Sequence, residues 1–334
     1  VKTKSLHSPR RGRTSNPPAL LPTTDALLNA FADFCRTDVA NGNAAKDTTA
    51  TYERRIKAFV IWCENQEIHP ALATKEEVKT YRRYLIEEKH QKPATLSLTL
   101  SVLRRFYACA RERGLVKENP VEGVKPPRDL TDAAERITYL EEIELQEFLA
   151  AIPADGSLKS IRDKALLAIM ALQGPRTVEM HRANMGDLVK QGLNWGLKVE
   201  GKGSKRTVPL RPDLAKLLLQ YLEARQAAGE LLEDSSPLFI AVGNRAGGQR
   251  LSRRGIRSIV DGYLEQAGLK YTQGRTLSAH SLRHTAATLG LRAGADLRQV
   301  QDLLGHKNPE MTAIYAHVGE RYTKNPALGI SVKV

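Results

Sequence analysis

The sequence predicts a mainly α-helical protein with a small β-sheet in the second of two domains. Three observations support this. The chain of 334 residues exceeds the roughly 100–200 residues of an ordinary domain. Apolar residues recur at helical spacing along most of its length. Residues 193–199, the turn Glu200-Gly201-Lys202-Gly203-Ser204 and residues 205–210 read as a β-hairpin with a glycine-flanked lysine at its tip.

Residues 1–22 carry Lys2, Lys4, Arg10, Arg11 and Arg13, several prolines and no acid, and so read as a flexible basic arm. Leu27, Phe31, Phe34 and Cys35 predict a first helix, and Tyr52, Ile56, Phe59 and Cys63 a second. Thr74 and Glu77 form a capping box for a third helix with Val78, Tyr81 and Leu85 on one face. Leu96, Leu100, Leu103 and Tyr107 mark a fourth, stopped by Gly114. Residues 23–118 are therefore expected to form a small helical bundle. Residues 119–136 mix proline, glycine and charge without apolar period, as a linker does.

The second domain, residues 137–318, opens with helical patterns over 140–152 and 161–172, ahead of the hairpin. Helices resume at 213–225, 252–267, 280–293 and 296–304. Asn308-Pro309 suits the start of a last helix carrying Tyr315. Residues 319–334 form a tail ending Ile330-Ser331-Val332-Lys333-Val334, which alternates like a strand.

Composition narrows the function. Lys and Arg number 51 against 37 Asp and Glu, a net charge of +14. That excess points to a polyanion, either nucleic acid or an anionic membrane surface. The longest apolar run, residues 165–172, falls far short of the roughly 20 residues of a membrane helix. No apolar stretch follows the first charges, so a secretory signal is not expected. Cys35, Cys63 and Cys109 form no Cys-x-x-Cys pair, which argues against a zinc ribbon and for free thiols in a reducing cytoplasm.

A few residues have the chemistry for a phosphate. His280 and Arg283 share a helix face, and a permanent cation beside a second donor suits an anionic oxygen. Arg176 follows Gln173-Gly174-Pro175 at a helix start, where backbone N–H groups converge. Glu179 either holds that guanidinium or is an ordinary first-turn acid. His306 follows Gly305 at a helix end, and by itself reads as a complement to the helix dipole. Tyr315 shares a face with Met311 and, taken singly, reads as a half-buried core residue. Lys202 alone is an ordinary turn lysine.

In combination, these residues resemble the tyrosine recombinases, the phage-integrase and Xer-type superfamily. The resemblance runs from Gly174-Pro175-Arg176-Thr177-Val178-Glu179, through Gly201-Lys202-Gly203-Ser204-Lys205-Arg206-Thr207-Val208-Pro209-Leu210, to His280-Ser281-Leu282-Arg283-His284. It ends with Leu303-Leu304-Gly305-His306 and Tyr315-Ala316-His317-Val318. Residues 24–116 look like the family's SAM-like core-binding domain. The resemblance implies a helical SAM-like domain and an α+β catalytic domain that form a clamp around DNA. By position, Tyr315 matches the nucleophile, Arg176 and Arg283 the phosphate-clamping arginines, and His280 and His306 the active-site histidines. Lys202 matches the general acid, with Lys205 as a nearby rival, and Glu179 the residue supporting the first arginine. Two departures are Pro175, where the family usually has a small apolar residue, and a tail unlike the helix many members send into a neighbouring protomer.

The activity implied by the resemblance is a metal-, cofactor- and ATP-independent strand transfer through a 3′-phosphotyrosyl link. It would serve integration, excision or resolution of a mobile element or chromosome. The implied partner is double-stranded DNA, with a homo-tetramer on two sites, weakly associated without DNA, and no membrane. The implied location is the bacterial-type cytoplasm, at the nucleoid. Expected DNA contacts are Lys198, Lys205 and Arg206 on the hairpin, Arg250, Arg253, Arg254 and Arg257 on a basic helix, and Arg104 and Arg105 on the fourth helix. Competing readings are a metal-dependent nuclease using His280, His284 and His306, a non-catalytic DNA-binding protein on the same fold, and a type IB topoisomerase. Ser281, where a metalloprotease motif has its glutamate, weighs against the first.

Overall fold

The computed structural model describes residues 21–39, 46–128, 136–201, 205–243, 247–272 and 274–316. The chain divides into two compact units around residue 130.

The first unit holds α1 (Thr24–Thr37), α2 (Lys46–Asn65), α3 (Lys75–Glu87) and α4 (Pro93–Glu112). Thr23 caps α1 by accepting from the Ala26 N–H at 3.1 Å, and the Thr74–Glu77 capping box opens α3. Helix α4 carries the apolar stripe of Leu96, Leu100, Leu103, Phe106 and Tyr107 that the other three helices cover. Phe59, Tyr81, Phe106 and Tyr107 meet edge to face in this core, the arrangement that ring quadrupoles favour.

The expected linker is not uniform. Val121 and Val124 are buried in the helical core, and the Asn119 amide bonds both the Arg104 carbonyl and the Val121 N–H. Residues 119–124 thus belong to the first unit. Two valines three apart among prolines and charges give no periodic signal.

The second unit holds α5 (Glu142–Ala150), α6 (Leu158–Gln173), α7 (Thr177–Arg182), β1 (Leu188–Gln191), β2 (Asn194–Glu200), β3 (Lys205–Leu210), α8 (Pro212–Ala227) and α9 (Arg253–Gln266). It continues with β4 (Tyr271–Thr272), β5 (Arg275–Thr276), α10 (Ala279–Arg292), α11 (Leu297–Leu304) and α12 (Glu310–Ala316). Helix α6 is buried on nearly every side over its apolar run 165–171 and is accordingly the central helix, packed by α8 and α10. Its buried Asp163 accepts from Arg162, Lys159 and the Tyr263 hydroxyl, tying α6 to α9.

The hairpin β2–β3 pairs Leu197 with Val208 and gains a third strand, β1. Residues 137–140 lie along α10, where the Leu140 N–H donates to Thr285 Oγ1 at 2.9 Å and Thr138 and Ser281 hydroxyls meet at 2.8 Å.

Candidate active site

Arg283 is fixed by two backbone oxygens. From α10 its guanidinium donates to the Gly174 carbonyl and to the Leu304 carbonyl, each at 2.6 Å, and it is 2% exposed. Three elements therefore meet at one cation: the ends of α6 and α11, and the body of α10. Gly174 terminates α6 with φ +64°, and a Cβ there would come within 2.7 Å of Leu304 Cδ2. Both the left-handed backbone and the close approach require glycine.

The chain then runs through Pro175 to Arg176, which begins α7. Glu179 accepts from the Arg176 N–H at 2.8 Å and from its Nη1 at 3.0 Å. The same buried carboxylate accepts from Arg206 Nη1 at 3.1 Å. One negative charge is thus shared between two guanidinium groups, and Arg176 keeps 31% of its side chain exposed.

Tyr315 on α12 is 3% exposed. Its hydroxyl lies 2.6 Å from His284 Nδ1. The His284 ring meets His280 edge to face at 4.5 Å. His306, just past the left-handed Gly305, holds its Nδ1 2.8 Å from the Thr312 hydroxyl, and its ring lies parallel to that of Tyr315. Arg176, His280, Arg283, His284, His306 and Tyr315 all line one cavity of about 380 Å³, rimmed by Asn308 and Met311. A second cavity of about 500 Å³ shares Arg176 and His280 and continues to Arg253, Arg257 and Lys270.

Burial and the two clamp arginines set the electrostatics. Desolvation, and then the neighbouring Arg176, push Arg283 down to about 10, so it remains a cation at neutral pH. Desolvation lowers His280, with Arg283 adding to it. Burial and neighbouring positive charge push His284 and His306 down to about 4, leaving both rings neutral at pH 7. Burial raises Tyr315, while Arg283 and Arg176 pull it back. The pocket favours incoming negative charge and keeps its imidazoles unprotonated.

Of the expected site residues, Arg176, Glu179, His280, Arg283, His306 and Tyr315 come together. Lys202 and the tail after Ala316 lie outside the described residues. Lys198 and Lys205 are exposed on the hairpin, Lys205 beside Glu200 at 3.4 Å.

Three of the expected DNA contacts have partners within the protein. Arg206 points inward to Glu179, because positions 206, 208 and 210 share the inner face of β3. Arg250 precedes the basic helix, whose N-cap is Ser252. Its guanidinium donates to the carbonyls of His181 and Ala183 and to Asn184. Arg104 donates to the Val124 carbonyl at 3.1 Å. Arg105 is exposed beside Tyr52, Arg254 and Arg257 are exposed on α9, and Arg253 is half-buried there.

Two residues gain roles that their motifs did not reveal. Arg206 was legible in the strand alternation, and His284 in its i,i+4 relation to His280. Among the described residues, no group of three His, Cys, Asp or Glu side chains is placed to hold a metal ion. Nor is any helix among them long and apolar enough to cross a membrane.

Residues 138–321 match the model of the phage integrase family. This chain belongs to that family. Residues 27–115 match the phage integrase N-terminal SAM-like domain. A tyrosine recombinase XerC of Chlamydia caviae is 34% identical over 299 residues, covering 89% of this chain and 88% of the relative. A tyrosine recombinase XerD of Xanthomonas campestris is 32% identical over 321 residues, covering 94% of each. This member of the family shares its fold with XerH recombinase bound to a palindromic difH substrate, at TM-score 0.69 and 20% identity, over 90% of this chain and 83% of that one. It shares it likewise with a lambda integrase dimer bound to a COC′ core site, at TM-score 0.65 and 19% identity, over 88% and 77%.

Proposed function

We propose that this chain is a site-specific DNA recombinase that cuts and rejoins strands through a 3′-phosphotyrosyl intermediate. The observation that carries the proposal is one cavity holding the Tyr315 hydroxyl together with the Arg176 and Arg283 guanidinium groups. A phosphodiester repels nucleophiles and has a poor alkoxide leaving group. Two positioned guanidinium groups neutralise its non-bridging oxygens and favour the more charged transition state. Arg283 is anchored to backbone carbonyls and Arg176 to Glu179, so the clamp is set before DNA arrives. Lys202 would protonate the leaving 5′ oxygen, the role that the family resemblance gives it. The phosphotyrosyl link conserves the energy of the bond it replaces, so a 5′-hydroxyl from another strand can reseal it without ATP.

The proposed partner is double-stranded DNA, engaged by both units as a clamp and exchanged by a tetramer on two sites, in the cytoplasm at the nucleoid. Protomer coupling has a candidate seat in a groove of about 990 Å³, lined by Leu145, Leu149, Leu172, Leu289 and Leu303. The alternating Leu328, Ile330, Val332 and Val334 of a second copy's tail supply apolar side chains for it.

The test uses a pool of nicked duplexes with randomised arms. The wild type is expected to form a covalent protein–DNA adduct on a subset of sequences. Tyr315→Phe is expected to bind the same duplexes and form none; an adduct surviving in that variant overturns the proposal.

A further inference from the structure

We propose that His284 is the group that takes the phenolic proton of Tyr315 as the tyrosine attacks, an inference that rests on Tyr315 being the nucleophile. The geometry singles out this residue. Among the described residues, the hydrogen-bond partner of the Tyr315 hydroxyl is His284 Nδ1, at 2.6 Å. That is within the reach a general base needs. The other groups in the cavity are unsuited. Arg176 and Arg283 have no lone pair to offer. His306 commits its Nδ1 to the Thr312 hydroxyl, and the Glu310 carboxylate, which also lines the cavity, accepts from the Asn308 amide at 3.0 Å. His280 packs its ring against His284 rather than against the tyrosine hydroxyl.

The surroundings keep His284 unprotonated before DNA arrives. It is faced by His280 and Arg283 from its own helix, by His306 from the turn before α12, and by Tyr315 from α12. Burial and this positive field hold the ring neutral. In the proposed tautomer its proton is on Nε2, and the Nδ1 lone pair meets the hydroxyl hydrogen. A bound phosphodiester brings a negative charge beside Arg176 and Arg283. It offsets the field that opposes protonation of His284 at the moment the proton must move.

The step balances. The Tyr315 Oη–H bond breaks and its proton passes to His284 Nδ1. Oη bonds to phosphorus, the bond from phosphorus to the 5′ oxygen breaks, and that oxygen takes a proton from the general acid. In resealing, the protonated His284 returns its proton to Tyr315 Oη as the tyrosine departs.

The test compares full-length wild type, His284→Gln, His284→Ala and Lys202→Ala on duplexes with either oxygen or sulfur at the bridging 5′ position. Sulfur leaves without protonation, so it relieves loss of the acid but not loss of the base. Both His284 variants are expected to bind DNA like the wild type and to form adduct roughly a hundred- to ten-thousand-fold more slowly on either duplex. Lys202→Ala is expected to recover on sulfur, and added imidazole to speed His284→Ala.

His284→Gln keeps a hydrogen-bonding group at the site without a base. A wild-type rate in that variant would reduce His284 to a positioning residue and overturn the proposal. So would recovery of both His284 variants on sulfur, faster cleavage in either, or no gain from imidazole. Adduct formation by Tyr315→Phe would instead defeat the nucleophile assignment itself.

Discussion

At the residue scale the site is organised by a single buried anion. Glu179, 1% exposed, is shared by Arg176 and Arg206. Replacing it with alanine strands two partly buried cations, Arg206 at 15% and Arg176 at 31% side-chain exposure. Glu179→Ala is expected to lose about 3 kcal/mol of stability, the lower end for a broken buried pair because Arg176 still reaches water. Urea unfolding of the variant measures it, and a loss under about 1 kcal/mol contradicts the shared-anion reading. The histidines make a second prediction. His284 and His306 are depressed to about 4, below the roughly 6.5 of an unfolded chain. Above pH 6.5 both states are neutral and the linkage is nil. As pH falls from 6.5 toward 4, only the unfolded state takes up protons, so stability falls. The pH slope of the melting temperature in that window is expected to flatten in His306→Asn. Tyr315, Arg176 and Arg283 were legible because ordered motifs surround them. The inward turn of Arg206 shows only in the alternation of β3, because the composition of a turn rich in lysine and arginine does not say which cation faces inward.

At the scale of elements, the ends of helices build the pocket. Gly174 ends α6 where Arg283 and Leu304 converge, and Gly305 ends α11 where a Cβ would fall on the Arg206 side chain. Gly174→Ala is expected to incur roughly 1–2 kcal/mol of left-handed backbone strain plus the clash with Leu304. Gly229→Ala, with φ +87° in open space, incurs the strain alone. Thermal unfolding of both should rank Gly174→Ala clearly lower, and its adduct formation should fall because the Arg283 anchor shifts. Equal melting temperatures would show that the close approach carries no weight. The amphipathic helices were legible from their stripes, and the hairpin from its alternation. Strands β1, β4 and β5 were not, since four- and two-residue segments are too short to display a period.

At the scale of the whole molecule, the +14 charge resolves into cations with different duties. Arg257 is exposed and lines the cavity that shares Arg176 and His280 with the tyrosine pocket, whereas Arg250 is occupied by backbone carbonyls. Arg257→Ala is expected to reduce the slope of log K against log salt by about one. Arg250→Ala should leave that slope unchanged and lower the melting temperature. Filter binding across a salt series separates them, and a slope change in Arg250→Ala would contradict its structural role. The two-unit division was legible in the composition of residues 119–136. The packing of its first residues was not, because it rests on Val121, Val124 and the side-chain amide of Asn119. The most direct measurement is mass spectrometry of the adduct trapped on a nicked duplex, with the linked DNA end mapped by exonuclease. A nucleotide carried on Tyr315 through a 3′ phosphate is the predicted result, and an adduct on another side chain or at a 5′ phosphate would contradict it.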